Sequence, residues 1–492
     1  MLPQITLPKV DTGGFVFGEA AVDTTDTDKY TYFKNKYFND PAGFVDKFIQ
    51  WKDDEPRASA YQVEILKKLP EKKRVSVRGP HGLGKTAMAA WIVLWFALTR
   101  DGEDWKIPTT ASAWRQLTKF LWPEIKKWAR RLKWDDIGRP PLNERLELLS
   151  LNIKLESGEA FALASDNSVM IEGAHADHLL YLFDESKAVP DDTWDSAEGA
   201  FASGDVYWLS ISKPGEPQGR FYEIHKRAPG YEDWWVRHVT KDESIAAGRI
   251  NEKWVEQRKL QWGEKSAVYQ NRVMGEFATS DEDGVIPLAH VERAIERWYA
   301  LQDIEDKGKW TCVGVDVGRG GDKSVYARRY DLYIAELERS SEKDIMPVAG
   351  RTKGILDKHG GYGVVDVIGI GAGVVDRCRE QNLDVRPFNA SERTDKKDST
   401  GELGFTNKRS AAWWNVREML DTEEMALPPD DKLIGDLTAP KWRVMSGGKI
   451  QVESKEDVKK RLKRSTDDGD AVIMAFSDMS DRWWINWGQD DD

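Results

Sequence analysis

The first half of the chain alternates short and long apolar segments in a pattern typical of an α/β fold. Val75 and Val77 predict the end of a buried strand, and the apolar run AMAAWIVLWFAL at 87–98 predicts a buried helix after it. That run is shorter than the ~18 residues that a membrane span needs, so it indicates a core helix. Apolar stretches at 179–183 and 206–209 predict further strands. Strands that alternate with helices favour a mostly parallel sheet.

The pattern changes near residues 280–300, after the acidic stretch DEDG at 281–284. Residues 311–330 predict a hairpin with a glycine-rich turn, and residues 361–376 predict a buried strand, a second glycine-rich turn and a helix. Residues 465–476, STDDGDAVIMAF, predict a helix that begins with several carboxylates. The change in pattern predicts a second α/β domain.

A length of 492 residues suits two to four domains. The patterns divide the chain into five predicted segments. These are an N-terminal extension at 1–55, a first α/β domain with a lid region at 56–245, a linker at 246–300, a second α/β domain at 301–480 and a tail at 481–492.

Composition narrows the class of protein. Hydrophobic residues make up 40% and charged residues 32%, which is enough to build packed cores. The two cysteines, Cys312 and Cys378, exclude a disulfide framework or a Cys-rich zinc site and fit a reducing compartment. The first residues lack the basic-then-apolar order of a secretory signal. We therefore expect a soluble intracellular protein with no membrane contact.

Charge and tryptophan content both stand out. The net charge of -12 argues against a simple basic nucleic-acid coat protein. Residues 51–150, however, carry 20 basic and 13 acidic side chains, and residues 455–464 hold six basic ones. Local basic surfaces are therefore available for DNA, although the cluster at 455–464 also fits a solvated helix face. Of the 22 tryptophans, eight lie between residues 51 and 134, including Trp91 and Trp95 on the apolar helix, and core packing is their expected role.

A phosphate-binding loop is predicted between the first strand and the apolar helix. Residues 79–86 match the spacing G-x-x-x-x-G-K-[ST], in which glycines let backbone N–H groups turn around phosphates. Lys85 is expected to reach the β- and γ-phosphates, and the Thr86 hydroxyl to bind Mg²⁺. The helix N-terminus adds a favourable potential for an anion. The loop glycines are Gly79, Gly82 and Gly84, and the predicted ligand is ATP.

An acidic strand end complements this loop. The apolar stretch 179–183 ends in Asp184 and Glu185, about a hundred residues after the loop. Asp184 is expected to support Mg²⁺. Glu185 is expected to orient and deprotonate the attacking water. This arrangement favours ATP hydrolysis that drives motion over a small-molecule kinase.

Several further residues fit the same domain. Tyr61 and Gln62 are candidates to contact adenine, although they also fit an ordinary helix start. Arg78 is a candidate for phosphate contact in cis. A γ-phosphate sensor is expected after the strand at 206–209, and an arginine acting on a neighbouring subunit is expected nearby. The sensor candidates are Ser210, Ser212 and Lys213, and the arginine candidates are Arg130, Arg131, Arg139 and Arg145.

A second chemical site is predicted from carboxylates in the second domain. Asp316 lies in the first strand of the hairpin, and Asp366 ends a second buried strand. Asp470 directly precedes the apolar helix that follows, with Asp467 as the alternative. Two-metal phosphodiester cleavage needs such separated carboxylates, and hard oxygen ligands suit Mg²⁺ or Mn²⁺. Asp316 and Asp366 also fit helix or turn capping, which is the alternative for each. This order of motifs is that of a ribonuclease H-like nuclease.

Together these motifs resemble the large subunit of tailed-bacteriophage terminases, from about residue 30 to 476. The resemblance implies an N-terminal P-loop ATPase of the RecA/ASCE-like type with a parallel-type central sheet and a C-terminal ribonuclease H-like α/β nuclease. The motifs that carry the resemblance are YQ at 61–62, RGPHGLGKT at 78–86, LLYLFDE at 179–185, LSISKPG at 209–215, YQNRVMGEF at 269–277, VGVDVGRGGDKSV at 313–325, VVDVIGIGAGVVD at 364–376 and RSTDDGDA at 464–471.

The resemblance implies a role for each matching position. Lys85 and Thr86 would bind nucleotide and Mg²⁺, with Asp184 in support and Glu185 as the catalytic carboxylate. Segment 210–212 would couple hydrolysis to motion. The nuclease metal ligands would be Asp316, Asp366 and Asp470. Thr466 and Gly469 stand where the family's last motif has Pro and Ala, so the choice between Asp467 and Asp470 stays open.

The resemblance also implies partners. The family packages double-stranded DNA into procapsids as an ATP-driven homo-oligomeric ring on the portal, in the host bacterial cytoplasm, and a small terminase subunit recognises the packaging site. The tryptophans of the last residues, Trp483, Trp484 and Trp487, are candidates to bind a partner or to pack on their own domain.

Two other classes compete with this hypothesis. A helicase-like DNA repair ATPase with an attached nuclease would need a second RecA-like domain, for which the chain has no room. A scaffold protein with degenerate sites conflicts with the intact Lys85 and Glu185.

Overall fold

The computed structural model describes residues 24–165, 171–202, 205–278, 283–318, 323–342, 344–445 and 448–477. The predicted tail at 481–492, its tryptophans and most of the glycine-rich turn after Asp316 lie outside these residues. Within the described ranges, no helix is both long enough and apolar enough to span a membrane.

The first half of the chain builds a seven-stranded sheet. The strands are β1 (Arg74–Arg78), β2 (Trp105–Ala111), β3 (Asn152–Lys154), β4 (Gly158–Ala164), β5 (His178–Asp184), β6 (Asp205–Ser212) and β7 (Trp235–His238). Their order is β3-β4-β2-β5-β6-β1-β7, so β6 lies between β1 and β5. Every neighbouring pair is parallel except the edge pair β3–β4. This order confirms the predicted parallel α/β sheet.

One very apolar helix, α4 (Lys85–Thr99), contributes many of the residues of the first core. Every residue of α4 from Met88 to Thr99 is buried, which confirms the predicted core role of Trp91 and Trp95. Aromatic side chains from the start of the chain, Phe33, Phe44 and Phe48, join the same core. The other helices are α1 (Thr24–Tyr37), α2 (Pro41–Phe48), α3 (Ala60–Lys72), α5 (Trp122–Ala129), α6 (Trp134–Ile137), α7 (Asp191–Glu198), α8 (Gly219–His225), α9 (Lys241–Ala246), α10 (Glu252–Trp262) and α11 (Ala267–Tyr269), with π-helical turns at Gln116–Leu121 and Gln270–Met274 and 3₁₀ turns at Ser186–Ala188 and Gly199–Ala202.

The second half of the chain builds a mixed sheet of six strands. The strands are β8 (Trp310–Asp316), β9 (Ser324–Tyr330), β10 (Tyr333–Ile334), β11 (Glu338–Ser340), β12 (Tyr362–Asp366) and β13 (Val385–Phe388). The path is β10-β9-β8-β12-β13, and β11 also pairs with β9. The pair β8–β9 is antiparallel, whereas β8–β12 and β12–β13 are parallel. This sheet confirms the predicted second α/β unit.

Helices cover this second sheet, and a small third sheet lies beside it. The helices are α12 (Leu288–Asp303), α13 (Ile345–His359), α14 (Gly371–Glu380), α15 (Lys408–Asp421), α16 (Asp431–Leu437), α17 (Lys455–Leu462) and α18 (Asp467–Ala475). The last helix packs closely on β8, because a Cβ at Gly314 would lie 2.1 Å from the Ala471 carbonyl oxygen. The third sheet has the order β14-β16-β15, from β14 (Gly404–Phe405), β15 (Trp442–Val444) and β16 (Lys449–Val452).

The segment between the two sheets belongs largely to the second core. Val291 and Ala294 of α12 are buried with residues of α15 and α18, although the sequence placed 246–300 in a linker. The proposed segment boundaries remain predictions.

Candidate functional sites

The predicted phosphate-binding loop lies at the carboxyl end of β1, directly before α4. Gly82 (φ +84°) and Gly84 (φ +71°) have left-handed backbone, which glycine adopts without steric cost. Lys85 and Thr86 form the first turn of α4, where backbone N–H groups lack partners within the helix. The loop therefore has the local geometry of an anion-binding site, with Gly79 at its start.

Tyr61 and Gln62 lie against the backbone of this loop. The Tyr61 hydroxyl donates to the Leu83 carbonyl oxygen at 2.9 Å, and Gln62 Nε2 donates to the Gly84 carbonyl oxygen at 3.1 Å. Gln62 Oε1 accepts the Ser59 backbone N–H at 2.9 Å and so also begins α3. The structure thus gives both residues a bracing contact with the loop, and adenine contact stays a prediction.

Asp184 and Glu185 lie at the carboxyl end of β5, at the same sheet edge as the loop. Asp184 is 3% exposed, and Glu185 has left-handed backbone (φ +46°). Glu185 Oε2 accepts the Ser212 hydroxyl at 3.4 Å, and its Oε1 lies 3.9 Å from Lys213 Nζ. The carboxyl ends of parallel strands meet at one edge, so the structure brings β1, β5 and β6 residues together here.

Burial and nearby charges shift the pKa values of Asp184 and Glu185 in opposite directions. Burial, and then the adjacent charge of Glu185, raises the pKa of Asp184. Burial also opposes ionisation of Glu185, but the positive charges of Lys213 and Lys85 lower its pKa. Glu185 is thus the carboxylate held ionised by its cations.

The serines after β6 connect to the segment after β5. Ser210 Oγ lies 2.8 Å from Ser186 Oγ, and Ser212 Oγ accepts the Lys187 backbone N–H at 3.3 Å. Ser210 and Ser212 are fully buried. Ser212 therefore contacts both Glu185 and the turn that follows it.

The predicted arginines have various partners. Arg78 is bound to the segment 275–276: its guanidinium donates to the Gly275 carbonyl oxygen and to Glu276. Phosphate contact by Arg78 stays a prediction and would require these bonds to change. The four candidates for action in trans lie elsewhere: Arg130 pairs with Glu144, Arg131 with Glu55, Arg139 with Glu147, and Arg145 is exposed.

The carboxylates of the second half converge around one lysine. Lys455 Nζ lies 2.9 Å from an Asp316 oxygen, 3.1 Å from Asp467 and 3.4 Å from Asp470. Asp316, Asp467 and Asp470 are 1%, 5% and 6% exposed. Lys455 begins α17, whereas Asp467 and Asp470 lie in the first turn of α18.

Asp366 and Arg409 complete the rim of this cluster. A cavity of about 570 Å³ is lined by Asp316, Asp366, Arg409, Lys455 and Asp470, among others. One Asp366 oxygen accepts the Ile368 backbone N–H at 2.9 Å. Arg409 donates to Asp470, and the second Asp470 oxygen accepts the Thr466 hydroxyl at 3.0 Å.

Charge compensation is incomplete at this cluster. Burial, and then the charges of Asp467 and Asp470, outweigh Lys455 and raise the pKa of Asp316 well above its usual range. Burial raises the pKa of Asp366 as well. Burial opposes ionisation of Asp470, but Arg409 and Lys455 lower its pKa. The cluster therefore holds more carboxyl groups than cations, and a bound divalent cation would offset the cost of ionising them.

A divalent ion would nevertheless have to compete with Lys455. Among the described residues, no group of three or more His, Cys, Asp or Glu side chains is arranged to hold a metal ion. The carboxylate oxygens have the right chemistry for Mg²⁺ or Mn²⁺. The Lys455 ammonium, however, lies among the same oxygens. The donor set therefore fits a hard cation if Lys455 withdraws.

Two contributors were not predicted as parts of this site. From the sequence, Lys455 was predicted only as part of a basic cluster that could hold DNA. Its position just upstream of the carboxylate motif could also have indicated a place in the carboxylate site. Arg409 lies on α15, about sixty residues before Asp470, and no local pattern points to it. Asp468, the third carboxylate of the motif, faces away and pairs with Arg339 and Lys432.

The fold and these two carboxylate sites define an α/β protein with a P-loop domain and a ribonuclease H-like domain. No protein-family model matches the chain. A protein named "Probable terminase, large subunit" from Enterobacteria phage P7 is 28% identical over 262 residues, which cover 51% of this chain and 51% of that relative. The chain thus spans about half the length of the curated relative that it matches. Over that part the chain is similar to a phage large terminase subunit, in agreement with the resemblance carried by its motifs.

Two solved structures are also similar to the chain. The large terminase of a thermophilic bacteriophage has 14% identity and a TM-score of 0.40, over 86% of this chain and 98% of its own. The nuclease domain of the large terminase subunit gp2 of bacterial virus Sf6 has 19% identity and a TM-score of 0.34, over 39% of this chain and 97% of its own. Because these TM-scores are low, the fold assignment rests on the strand order described above.

Proposed function

We propose that this protein is a genome-packaging ATPase and nuclease of a tailed phage, which drives double-stranded DNA into a procapsid and cuts it at the start and end of packaging. The observation that carries the proposal is the presence of two separate carboxylate sites in one chain. One site, Asp184 and Glu185, faces a phosphate-binding loop. The other site comprises Asp316, Asp366 and Asp470, which line one cavity, and Asp467, which lies 3.1 Å from the same Lys455.

The first site is proposed to hydrolyse ATP. Lys85 and the loop N–H groups would hold the phosphates, and Thr86 and Asp184 would hold Mg²⁺, which supplies charge neutralisation on the phosphates. Glu185 would accept a proton from the attacking water, for which its ionised state is suited. Ser212, which contacts Glu185 directly, would respond to a change at the γ-phosphate.

The second site is proposed to cut DNA. Asp316, Asp366 and Asp470, with Asp467 as the alternative to Asp470, would hold two divalent ions, which stabilise charge on the attacking and leaving oxygens when bound. Lys455 would leave the carboxylates as the ions enter and would then be free to contact a phosphate of the DNA backbone. Arg409 would keep Asp470 ionised and in place.

The proposed partners are those that the resemblance of the motifs to phage large terminase subunits implies. They are double-stranded phage DNA, a small terminase subunit, the portal of the procapsid in the host bacterial cytoplasm, and further copies of this chain in a ring. Mg²⁺ is the proposed ion at both sites, with Mn²⁺ a second candidate at the nuclease site.

The direct test separates the two activities. We expect Asp316→Ala to abolish plasmid cutting with Mg²⁺ or Mn²⁺ and to leave ATP hydrolysis within about twofold. Glu185→Ala should do the reverse, with a loss of about 10²–10⁴-fold in hydrolysis, as for removal of a general base. Normal cutting by Asp316→Ala, or hydrolysis that survives Lys85→Ala, would refute the corresponding assignment.

A further inference from the structure

The segment 270–277 lies directly on the phosphate-binding loop. The His81 backbone N–H donates to the Arg272 carbonyl oxygen at 2.9 Å. A Cβ at Gly275 would lie 2.8 Å from backbone atoms of Gly79 and Pro80, so the two backbones touch. The loop is therefore positioned partly by a segment outside the first sheet.

The side chain of Arg272 points the other way, into the second half of the chain. Its guanidinium lies 3.4 Å from Glu292 of α12 and 3.2 Å from Asp431 at the start of α16. Glu292 also lies 2.6 Å from Nζ of Lys187. Lys187 follows the carboxylate Glu185 by two residues. The Arg272 side chain is only 11% exposed, so these pairs are poorly screened by solvent.

Helix α16 continues this connection to the nuclease carboxylates. Asp436, which is fully buried, accepts the backbone N–H groups of Asp468 and Gly469 at 3.0 and 3.3 Å. These two groups lie in the first turn of α18, beside Asp467 and Asp470. A carboxylate at a helix N-terminus stabilises that turn. Asp436 therefore fixes the end of the helix that presents the proposed metal ligands.

We propose that Arg272 is a positioning residue that links the two sites, so that occupation of the nucleotide site changes the geometry of the nuclease carboxylates through α16. The inference rests on the proposed function and adds regulation to it. The backbone of Arg272 contacts the loop and its side chain contacts Asp431 at the start of α16, and Asp436 of the same helix binds the first turn of α18. By reciprocity, if nucleotide changes the affinity of the nuclease site for its metal, that metal changes the affinity for nucleotide by the same factor.

The test uses Arg272→Gln in the full chain. This change removes the ion pairs but keeps the carbonyl that holds the loop, so ATP hydrolysis should stay within about threefold. Arg258→Gln is the matched control, because Arg258 lies 3.4 Å from the same Asp431 but belongs to α10. The first measurement is the rate of plasmid cutting at fixed Mg²⁺, with and without a saturating non-hydrolysable ATP analogue.

In the unmodified chain and in Arg258→Gln, the analogue should change the cutting rate by about 5-fold or more, the lower end of ordinary allosteric coupling. In Arg272→Gln the two rates should agree within about twofold. The second measurement is amide hydrogen exchange at 467–470, which should respond to the analogue in the unmodified chain and not in Arg272→Gln. This measurement does not depend on activity.

The outcomes separate this inference from the proposed function. A chain that neither binds the analogue nor cuts DNA refutes the proposed function. A chain that does both, but whose cutting and hydrogen exchange ignore the analogue, refutes only the link. The assignment to Arg272 is also overturned if the analogue still changes the cutting rate in Arg272→Gln, or if its effect is lost equally in Arg258→Gln.

Discussion

The ammonium nitrogen of Lys455 lies 2.9 Å from one carboxylate oxygen of Asp316 and 3.1 Å from the other. Lys455 is thus an internal cation at the point where the proposed function requires divalent metal. Its charge offsets the repulsion between Asp316, Asp467 and Asp470 when metal is absent. Metal binding and withdrawal of this lysine should therefore be linked.

We expect Lys455→Ala to bind divalent ions more tightly and to be less stable without them. Removing one member of a buried ionic cluster costs about 3–5 kcal/mol, because the remaining charges are uncompensated. Mn²⁺ should therefore raise the melting temperature of this variant more than that of the unmodified chain. Thermal unfolding with and without Mn²⁺ measures the effect, and Lys460→Ala, a change at an exposed residue of the same helix, is the control. An equal response to Mn²⁺ in the unmodified chain and Lys455→Ala would show that the lysine and the metal do not compete.

Asp468 should matter for stability, in contrast to its neighbours. It is fully buried and pairs with Arg339 at 2.6 Å and with Lys432 at 3.0 Å. Asp468→Ala should lower the free energy of unfolding by about 3–5 kcal/mol, since Lys432 loses its carboxylate partner and Arg339 keeps only Asp430. Asp467→Ala should cost far less stability, because it relieves repulsion with Asp316. Chemical denaturation compares the two variants, and equal losses would contradict the different roles.

Gly275 should be sensitive to any side chain. Its backbone is left-handed (φ +71°), and a Cβ would meet Gly79 and Pro80 at 2.8 Å. Gly248 has a similar φ of +66° with no atom within 4 Å of a Cβ. Gly248→Ala should therefore show only the backbone strain, about 1–2 kcal/mol, whereas Gly275→Ala should cost more and raise KM for ATP. Equal stability and equal KM in the two variants would mean that the segment does not press on the loop.

His225 should make stability depend on pH. Burial, and then the charge of Arg78, lowers the pKa of His225 to about 3. Between about pH 6.5 and 3 the unfolded chain binds a proton there and the folded chain does not, so stability falls as pH falls, by at most about 1.4 kcal/mol per pH unit. His225→Gln should remove this slope relative to the unmodified chain. Urea unfolding at several pH values measures it, and unchanged slopes would place the pKa of His225 near its ordinary value.

The parts of both sites that were predictable from sequence lie at strand ends or at the first turn of a helix. Asp184 and Asp366 each end an apolar strand, and the carboxyl ends of parallel neighbours meet at one edge whatever the rest of the chain does. The loop glycines and Lys85 were predictable because their chemistry is local. Local patterns were therefore sufficient for the α/β class and for most of the proposed ligands.

The remaining contributors depend on packing between distant segments. Three such residues are Arg409, Arg272 and Asp436. The sequence pattern around each of them indicates only a partly buried helix. Their partners are 20 to 159 residues away in the chain, and nothing in a local pattern specifies such pairs. A related limit applies to Tyr61 and Gln62. The motif identifies them as candidate site residues, but it does not show whether they contact the loop or adenine.

The close contact between Gly275 and the loop also limits where the chain can be joined to another protein to make a hybrid. Residues 270–277 follow the last strand of the first sheet, so a boundary drawn by sheets alone would assign them to the second half. Their backbone is nonetheless shaped to Gly79 and Pro80. A hybrid that joins the first half of this chain to another second half should keep its native loop geometry only when the junction lies beyond residue 277. The proposed link between the two sites should survive only when the new half also supplies carboxylates for Arg272.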